Sequence, residues 1–523
     1  AASPLQAITI KEPMLKELLD RALNYAHLKQ VQYGDIRLVQ NNTETIVVKN
    51  GVVETLNISE SLGFGVRTLV SGSWGFASSH VLSAGEVERI TALAIEIALA
   101  SSRAPGAQIE LGPPVTSRGK YQTPVEIDPF SLSPETKLAE LTAADAAMAG
   151  EKNISVRRSN LTFIREDKWF GNTEGAYTEQ TIYETGGGIQ AIAVGGGEVQ
   201  SRSYPASFGR QQVTAGWEAA QAWDLPGNAE RIASEAAALL RADPCPRDLI
   251  TTVILGGDQV ALQVHESCGH PIELDRVFGT EAAYAGTSFL TPEKLGTYQY
   301  GSEVVNITAE SLRHLGLGTF GWDDEGVPAQ STPIVKEGLF VGYLMSRESA
   351  SLLGKVSNGC MRASGWNRAP LIRMTNVSLE AGTWDLDDMI ADTDHGIFMD
   401  TNRSWSIDDK RYNFQFGTEI GYEIKNGKLG RMLRNPTYTG ITPLFWNSCD
   451  AVAGTKHWQM YGTPNCGKGQ PGQIAQRTRT SLRDARAAVH ASPRRPARRC
   501  SLATHRPCWN HRYRVVSFPV AAR

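Results

Sequence analysis

The sequence predicts an α+β protein: an N-terminal α/β domain with helices on a sheet, followed by a β-rich C-terminal domain that carries one histidine-bearing helix. Three observations carry this expectation. The chain has 523 residues, more than a single hydrophobic core organises. Apolar residues alternate between helical and strand spacing in the first half and are mostly strand-like in the second. Between the halves, Asp243-Pro244-Cys245-Pro246 stops a helix with two prolines, which lack the N–H that a helix interior needs. These features divide the chain into 1–243, 244–476 and a tail, 477–523.

Within the first domain, Leu15, Leu18, Leu19, Leu23 and Ala26 recur at helical spacing and predict an amphipathic helix over Glu12 to Lys29. Val47-Val48-Lys49-Asn50-Gly51-Val52-Val53 reads as a hairpin, because Asn-Gly tolerates the positive φ angles of a tight turn. Ile90, Leu93, Ile97 and Leu99 predict a second helix over Ala84 to Ser102, and Ser133-Pro134-Glu135 predicts the start of a third. Ile154 to Phe208 is strand-like. Its runs Gly186-Gly187-Gly188 and Gly195-Gly196-Gly197 lack the Lys-Ser/Thr partner of a phosphate loop and read as turns or bulges. Asn228 is the expected cap of a helix ending near Arg241.

In the second domain, Leu249 to Leu255 predicts a short strand, and Asp258 is the expected cap of the helix carrying His265. Strands are expected over Gly338 to Leu344, Leu371 to Leu379 and Tyr412 to Ile424, with a turn at Asn426-Gly427. Residues 477–523 are rich in arginine, with Asp484 the only acid and no lysine. Such a basic end predicts a poorly ordered or frame-altered tail rather than a nucleic-acid module, since it carries no stacking motif. Its Cys500, Cys508, His505 and His511 match no metal-binding spacing.

Composition is that of an ordinary globular protein: 41% hydrophobic, 20% charged, net charge −3. That balance disfavours nucleic acid as a partner. No apolar run is long enough to cross a bilayer, and Ala1 to Lys11 lacks the basic-then-apolar layout of a secretory signal. Seven cysteines, odd in number and spread from Cys245 to Cys508, do not resemble a disulfide framework. The expectation is a cytoplasmic chain with reduced thiols.

The candidate chemistry lies in His265-Glu266-Ser267-Cys268-Gly269-His270, two histidines and a carboxylate with the composition of a catalytic metal site. The familiar zinc-protease motif spaces its histidines four apart. Here they are five apart, which on a straight helix separates them by about 140°. Gly269 and the pre-proline position of His270 predict that the helix ends there, letting His270 swing back, while Val260, Ala261 and Val264 pack inward. A catalytic zinc site needs a third protein ligand. By chemistry the candidates are Cys268, Cys360, Cys449, Cys466, Glu273, Asp275 and the later histidines; Cys268 is too close in sequence to both histidines. The choice narrows to an acid or Cys466, whose loop Thr463-Pro464-Asn465-Cys466-Gly467-Lys468-Gly469 offers a flexible backbone and Lys468 to favour the thiolate.

These motifs, together with Pro271-Ile272-Glu273-Leu274-Asp275, Tyr284-Ala285-Gly286-Thr287-Ser288, Asp323-Asp324-Glu325-Gly326-Val327-Pro328 and Ser61-Leu62-Gly63-Phe64-Gly65-Val66-Arg67, resemble the TldD/PmbA family from about Glu12 to Gln473. The resemblance is to the metal-bearing TldD-type chains. It implies a zinc-dependent metallopeptidase acting on unfolded or short peptides, with His265, His270 and Cys466 as metal ligands and Glu266 as the catalytic carboxylate. It also implies a homodimer or a heterodimer with a TldE/PmbA-like paralogue; the lack of a long apolar run adds the expectation of no membrane partner. Its alternative is a non-catalytic or maturation subunit of a TldD/TldE-type complex. The family pattern closes with a strand soon after the cysteine loop, and Arg477 onward does not read as one.

Overall fold

A computed structural model describes residues 12–246, 249–469, 476–485 and 490–491. The N-terminal half is built on strands β1 (Tyr33–Lys49), β2 (Val52–Val70), β3 (Ser73–Ser79), β4 (Arg118–Gln122), β5 (Ile154–Asn172), β6 (Tyr177–Gly195), β7 (Glu198–Tyr204) and β8 (Gln211–Val213). They form one sheet in the order β3-β2-β1-β5-β6-β4, with β7 and β8 also paired to β6. The predicted hairpin joins β1 to β2, and Asn50 and Gly51 both have positive φ, 50° and 78°.

Helices α1 (Glu12–Leu28), α2 (Ala84–Ser101), α3 (Pro134–Ala149), α4 (Trp217–Trp223) and α5 (Leu225–Leu239) accompany this sheet. Leu15, Leu18, Leu19, Val87 and Ile90 pack on Ile36, Leu38 and Phe64; Leu141, Met148 and Ile232 pack on Ile46, Leu161 and Ile189. Burial of these apolar faces, more than propensity, holds the helices. Two expectations shift in detail. Helix α5 begins at Leu225, three residues before Asn228, because Asp224 caps it by accepting from Gly227 N at 3.1 Å. Gly186 to Gly188 lie inside β6 rather than at a turn; a Cβ on Gly188 would meet the Tyr204 carbonyl oxygen at 2.5 Å, so the close crossing of chain requires glycine.

The second half contains β9 (Asp243–Pro244), β10 (Thr252–Leu255), β11 (Ile307–Glu310), β12 (Ser331–Lys336), β13 (Leu339–Phe340), β14 (Met361–Arg362), β15 (Leu371–Ile372) and β16 (Asn376–Leu379). After these come β17 (His395–Ile407), β18 (Asn413–Lys425), β19 (Lys428–Arg434), β20 (Thr437–Ile441), β21 (Cys449–Ala451), β22 (Trp458–Lys468), β23 (Gln476–Ala485) and β24 (His490–Ala491). One sheet runs β21-β24-β10-β17-β18-β19-β9, with β20 on β18; another runs β13-β12-β11-β16-β23-β22; β14 and β15 form a ribbon. Helix α6 (Gly257–Val264) follows β10 and lies with its Val260 and Val264 in the large apolar core of this half. The fold is therefore the predicted mixed α/β architecture with a β-rich second half.

The expectation for the start of the tail is corrected. Gln476 to Ala485 is a strand, antiparallel to β22 and parallel to β16, and it backs the cysteine loop, with Cys466 opposite Thr478. Its alternating Thr, Leu and Ser among the arginines suit a pleated strand, a pattern hidden by the basic composition. The rest of the basic tail, 492–523, with Cys500, Cys508, His505 and His511, lies outside the described residues.

Candidate metal centre

Helix α6 continues into a π-helical turn, His265–Gly269, in which His270 N donates to His265 O at 3.1 Å. This corrects the expected helix end. His270 keeps helical angles, φ −67° and ψ −43°, despite the following Pro271. The wider turn absorbs the extra residue, so histidines five apart share one face. Their rings meet edge to face with centroids 4.6 Å apart. Ser267 stabilises the turn: its hydroxyl donates to the Gln263 carbonyl at 2.5 Å and accepts from Trp446 Nε1 at 2.9 Å, and Tyr300 donates to the Ser267 carbonyl at 2.9 Å. Gly269 is needed for packing, since a Cβ there would lie 2.1 Å from Met374 Sδ. Val260, Ala261 and Val264 are buried as expected. Asp258 is not the cap; Gly256 holds that position, and the Asp258 carboxylate accepts from Ser207 N at 3.2 Å, Asn402 N at 3.0 Å and the Ser207 hydroxyl.

From β22, Cys466 brings its Sγ to 3.3 Å from His265 Nε2 and 3.5 Å from His270 Nε2. All three donor atoms lie within 4.8 Å of one another. Metal–nitrogen distances near 2.1 Å and metal–sulfur distances near 2.3 Å give a tetrahedral N···S edge of about 3.6 Å. The cluster therefore has the donor chemistry and the spacing for one zinc-sized ion. Of the other candidate ligands, Cys268, Cys360 and Cys449 are buried in the apolar core, and His457 pairs with Asp385 at 3.0 Å. Glu273 stands behind His270, its Oε2 3.0 Å from Nδ1, which orients the ring with Nε2 toward the cluster.

Lys468 does not serve the thiolate. Its Nζ binds Asp275 at 2.8 Å and Glu273 at 3.4 Å. The cation beside Cys466 is Arg373, fully buried, which donates to the Cys466 carbonyl at 2.8 Å. Burial pushes His265 down to about 4 and also lowers His270, so both rings are neutral. Burial opposes the Cys466 thiolate, but its hydrogen-bonding contact with His270 and the charge of the Arg373 guanidinium more than offset it, and the thiol lies below its ordinary range. Neutral imidazoles and a thiolate are the forms that bind metal.

Glu266 faces a cleft of about 350 Å³ together with His265, His270 and Cys466. The cleft lies between the halves: Ala206 to Phe208 and Arg210 come from the first, Trp405, Arg411 and Tyr461 from the second. Arg411 Nη1 donates to Glu266 Oε2 at 2.5 Å. Arg411 has φ 64° at the tip between β17 and β18, where its N–H donates to Asp408 O at 2.9 Å and its carbonyl accepts from Thr442 Oγ1 at 2.9 Å. Sequence spacing gave no sign of Arg373 or Arg411, because each arrives from a separate loop.

Two imidazoles, a thiol and a carboxylate gathered in one cleft are the side chains of a metal-dependent hydrolase. The comparisons agree. Models for the PmbA/TldA metallopeptidase C-terminal domain, domain 1 and central domain match residues 250–475, 34–98 and 127–242. The chain belongs to the PmbA/TldD metallopeptidase family. A metalloprotease of Methanocaldococcus jannaschii is 29% identical over 83% of this chain and 92% of its own. A zinc metalloprotease TldD homolog of Saccharolobus solfataricus is 25% identical over 38% of this chain and 43% of its own. Among solved structures, a candidate modulator of a DNA gyrase from Thermotoga maritima has a TM-score of 0.69 at 18% identity, covering 91% of this chain and 100% of its own. TldE from Thermococcus kodakarensis has a TM-score of 0.64 at 16% identity, covering 91% of this chain and 100% of its own. These two share the fold.

Proposed function

We propose that this chain is a zinc-dependent peptidase that hydrolyses peptide bonds of short or unfolded peptides, with His265, His270 and Cys466 as ligands and Glu266 as general base. The observation that carries it is the convergence of Nε2, Nε2 and Sγ within 4.8 Å of one another, beside a carboxylate in a cleft. Imidazole and thiolate donors suit zinc, and the Saccharolobus solfataricus relative carries zinc in its name. Bound there, zinc supplies Lewis acidity toward the scissile carbonyl and acidifies water to a pKa of about 7.

The chain's own residues do the rest. Glu266 takes a proton from the attacking water at a carboxylate oxygen and returns it to the leaving amine. Arg411 fixes the Glu266 side chain through their 2.5 Å contact, and Glu273 fixes the His270 ring through Nδ1. The donors are recessed, each less than a tenth exposed, which favours an extended peptide over a folded surface. β22 carries Tyr461 to Cys466 along the cleft, its outer backbone at Met460 O and Gly462 N held by the Gln211 side chain at 2.6 and 2.8 Å.

A non-catalytic subunit has no use for Glu266 beside the donors, which favours the enzyme. Dimerisation, with a second copy or a TldE/PmbA-like paralogue, belongs to this reading and is supported by the shared fold with TldE. Cytoplasmic residence is supported by five free, buried thiols among the described cysteines. Zinc content and peptide cleavage of the purified chain test the proposal. Stoichiometric zinc is expected, with cleavage lost on chelation and restored by zinc; undiminished cleavage by the stripped chain would contradict it.

A further inference from the structure

The cleft holds two acids and two arginines, and among the described residues one of the arginines, Arg411, has an acidic partner. Asp258 is occupied by Ser207 and the Asn402 N–H, and Glu266 by Arg411. Arg210, exposed on the cleft wall, has no acid within ion-pair distance among the described residues. Its charged influence comes from Arg158, of the same sign. Its guanidinium lies 4.9 Å from the centroid of Phe208, which meets Trp405 edge to face at 6.4 Å.

This arrangement is built rather than accidental to a loose surface. Phe208 has φ 60°, in the left-handed region, within a turn closed by Gly209 N to Ala206 O at 3.0 Å and Arg210 N to Ser207 O at 3.3 Å. The Asp258 carboxylate ties that turn to α6 through Ser207. A turn held from the helix that carries His265 thus presents a cation at a fixed place in the same cleft. A guanidinium over an aromatic face, without a counter-charge, is a receptor for a planar carboxylate.

The geometry points to Arg210 as the anchor for a carboxylate of the peptide substrate, either an acidic side chain or the C-terminal carboxylate. This rests on the peptidase reading and names a preference within it. The test measures binding to the zinc-loaded chain of three versions of one short peptide: a neutral amidated form, the same with one Gln replaced by Glu, and the neutral form with a free C-terminus. The wild-type chain is expected to bind one or both carboxylate forms about tenfold more tightly than the neutral form, a difference of about 1.4 kcal/mol. Arg210→Ala is expected to remove that ratio and Arg210→Glu to invert it. The arm that gains identifies the source of the carboxylate. Equal binding of all three by the wild type, or an unchanged ratio in Arg210→Ala, would overturn the assignment. Cleavage of the neutral peptide by the wild type, read separately, bears on the peptidase reading alone.

Discussion

Burial makes His265 and His270 usable as ligands, because removing the rings from water disfavours their protonated forms. This has a consequence for the metal-stripped chain. His265 titrates at about 4 in the fold and at about 6.5 unfolded, so between those values the unfolded chain binds more protons. The contribution of His265 is complete above about pH 6.5 and is lost as pH falls toward 4, by about 3 kcal/mol. Thermal melts of stripped wild type and His265→Asn at about pH 7 and about pH 5 check this: the acid-induced loss is expected to be smaller in the variant, and equal losses would contradict it. At this scale the sequence was partly legible. His265, Glu266 and His270 stand out by type and spacing, whereas Cys466 needed a family resemblance, since Cys268, Cys360, Cys449, Glu273, Asp275 and the later histidines were also chemically eligible. Arg373 and Arg411 were hidden, since local spacing carries no information about loops that converge only in the fold.

The turn carrying the histidines sets their geometry. A π-helical turn brings the five-apart pair onto one face, and its hydrogen bonds run through Ser267, which engages Gln263 and Trp446. Ser267→Ala strands the buried Trp446 N–H, a cost of about 1–3 kcal/mol. We expect that loss in chemical denaturation together with weaker zinc binding; a variant with wild-type stability and wild-type affinity would remove Ser267 from this role. The helices and the Asn50-Gly51 hairpin were legible because periodicity and turn chemistry are local. The π turn was not, because glycine and a pre-proline residue favour a helix end locally, and only the tertiary bonds of Ser267 tip the balance. Strand β23 was obscured for a similar reason: pairing with β16 and β22 outweighs its basic composition.

Across the whole molecule, the halves are joined by buried charge. Asp324 of the second half accepts from Arg37 at 2.6 Å and Lys168 at 2.7 Å of the first, while Arg67 binds Asp35 at 2.6 Å and Glu325 at 3.4 Å. These cations hold Asp324 well below the usual carboxylate range, although burial opposes it. Asp324→Asn leaves two buried cations with a weakened partner and is expected to cost about 3–5 kcal/mol. Because the first half contributes Phe208 and Arg210 to the cleft, the same variant should cleave peptides more slowly while keeping its zinc. Urea titration and metal analysis together check this; wild-type stability would show that the ion pairs do not join the halves. The motif Asp323-Asp324-Glu325 was visible in the sequence, but its partners lie far away along the chain, so its joining role was not.

On the reading proposed above, Glu266 works as a base beside a zinc held by His265, His270 and Cys466. Glu266→Gln keeps size and polarity and removes the base. Its zinc content and its rate on an unfolded peptide, measured on one preparation, test the claim most directly. Full zinc with a rate lowered by about a hundredfold to ten-thousandfold is the expected result. Full zinc with an unchanged rate would contradict it.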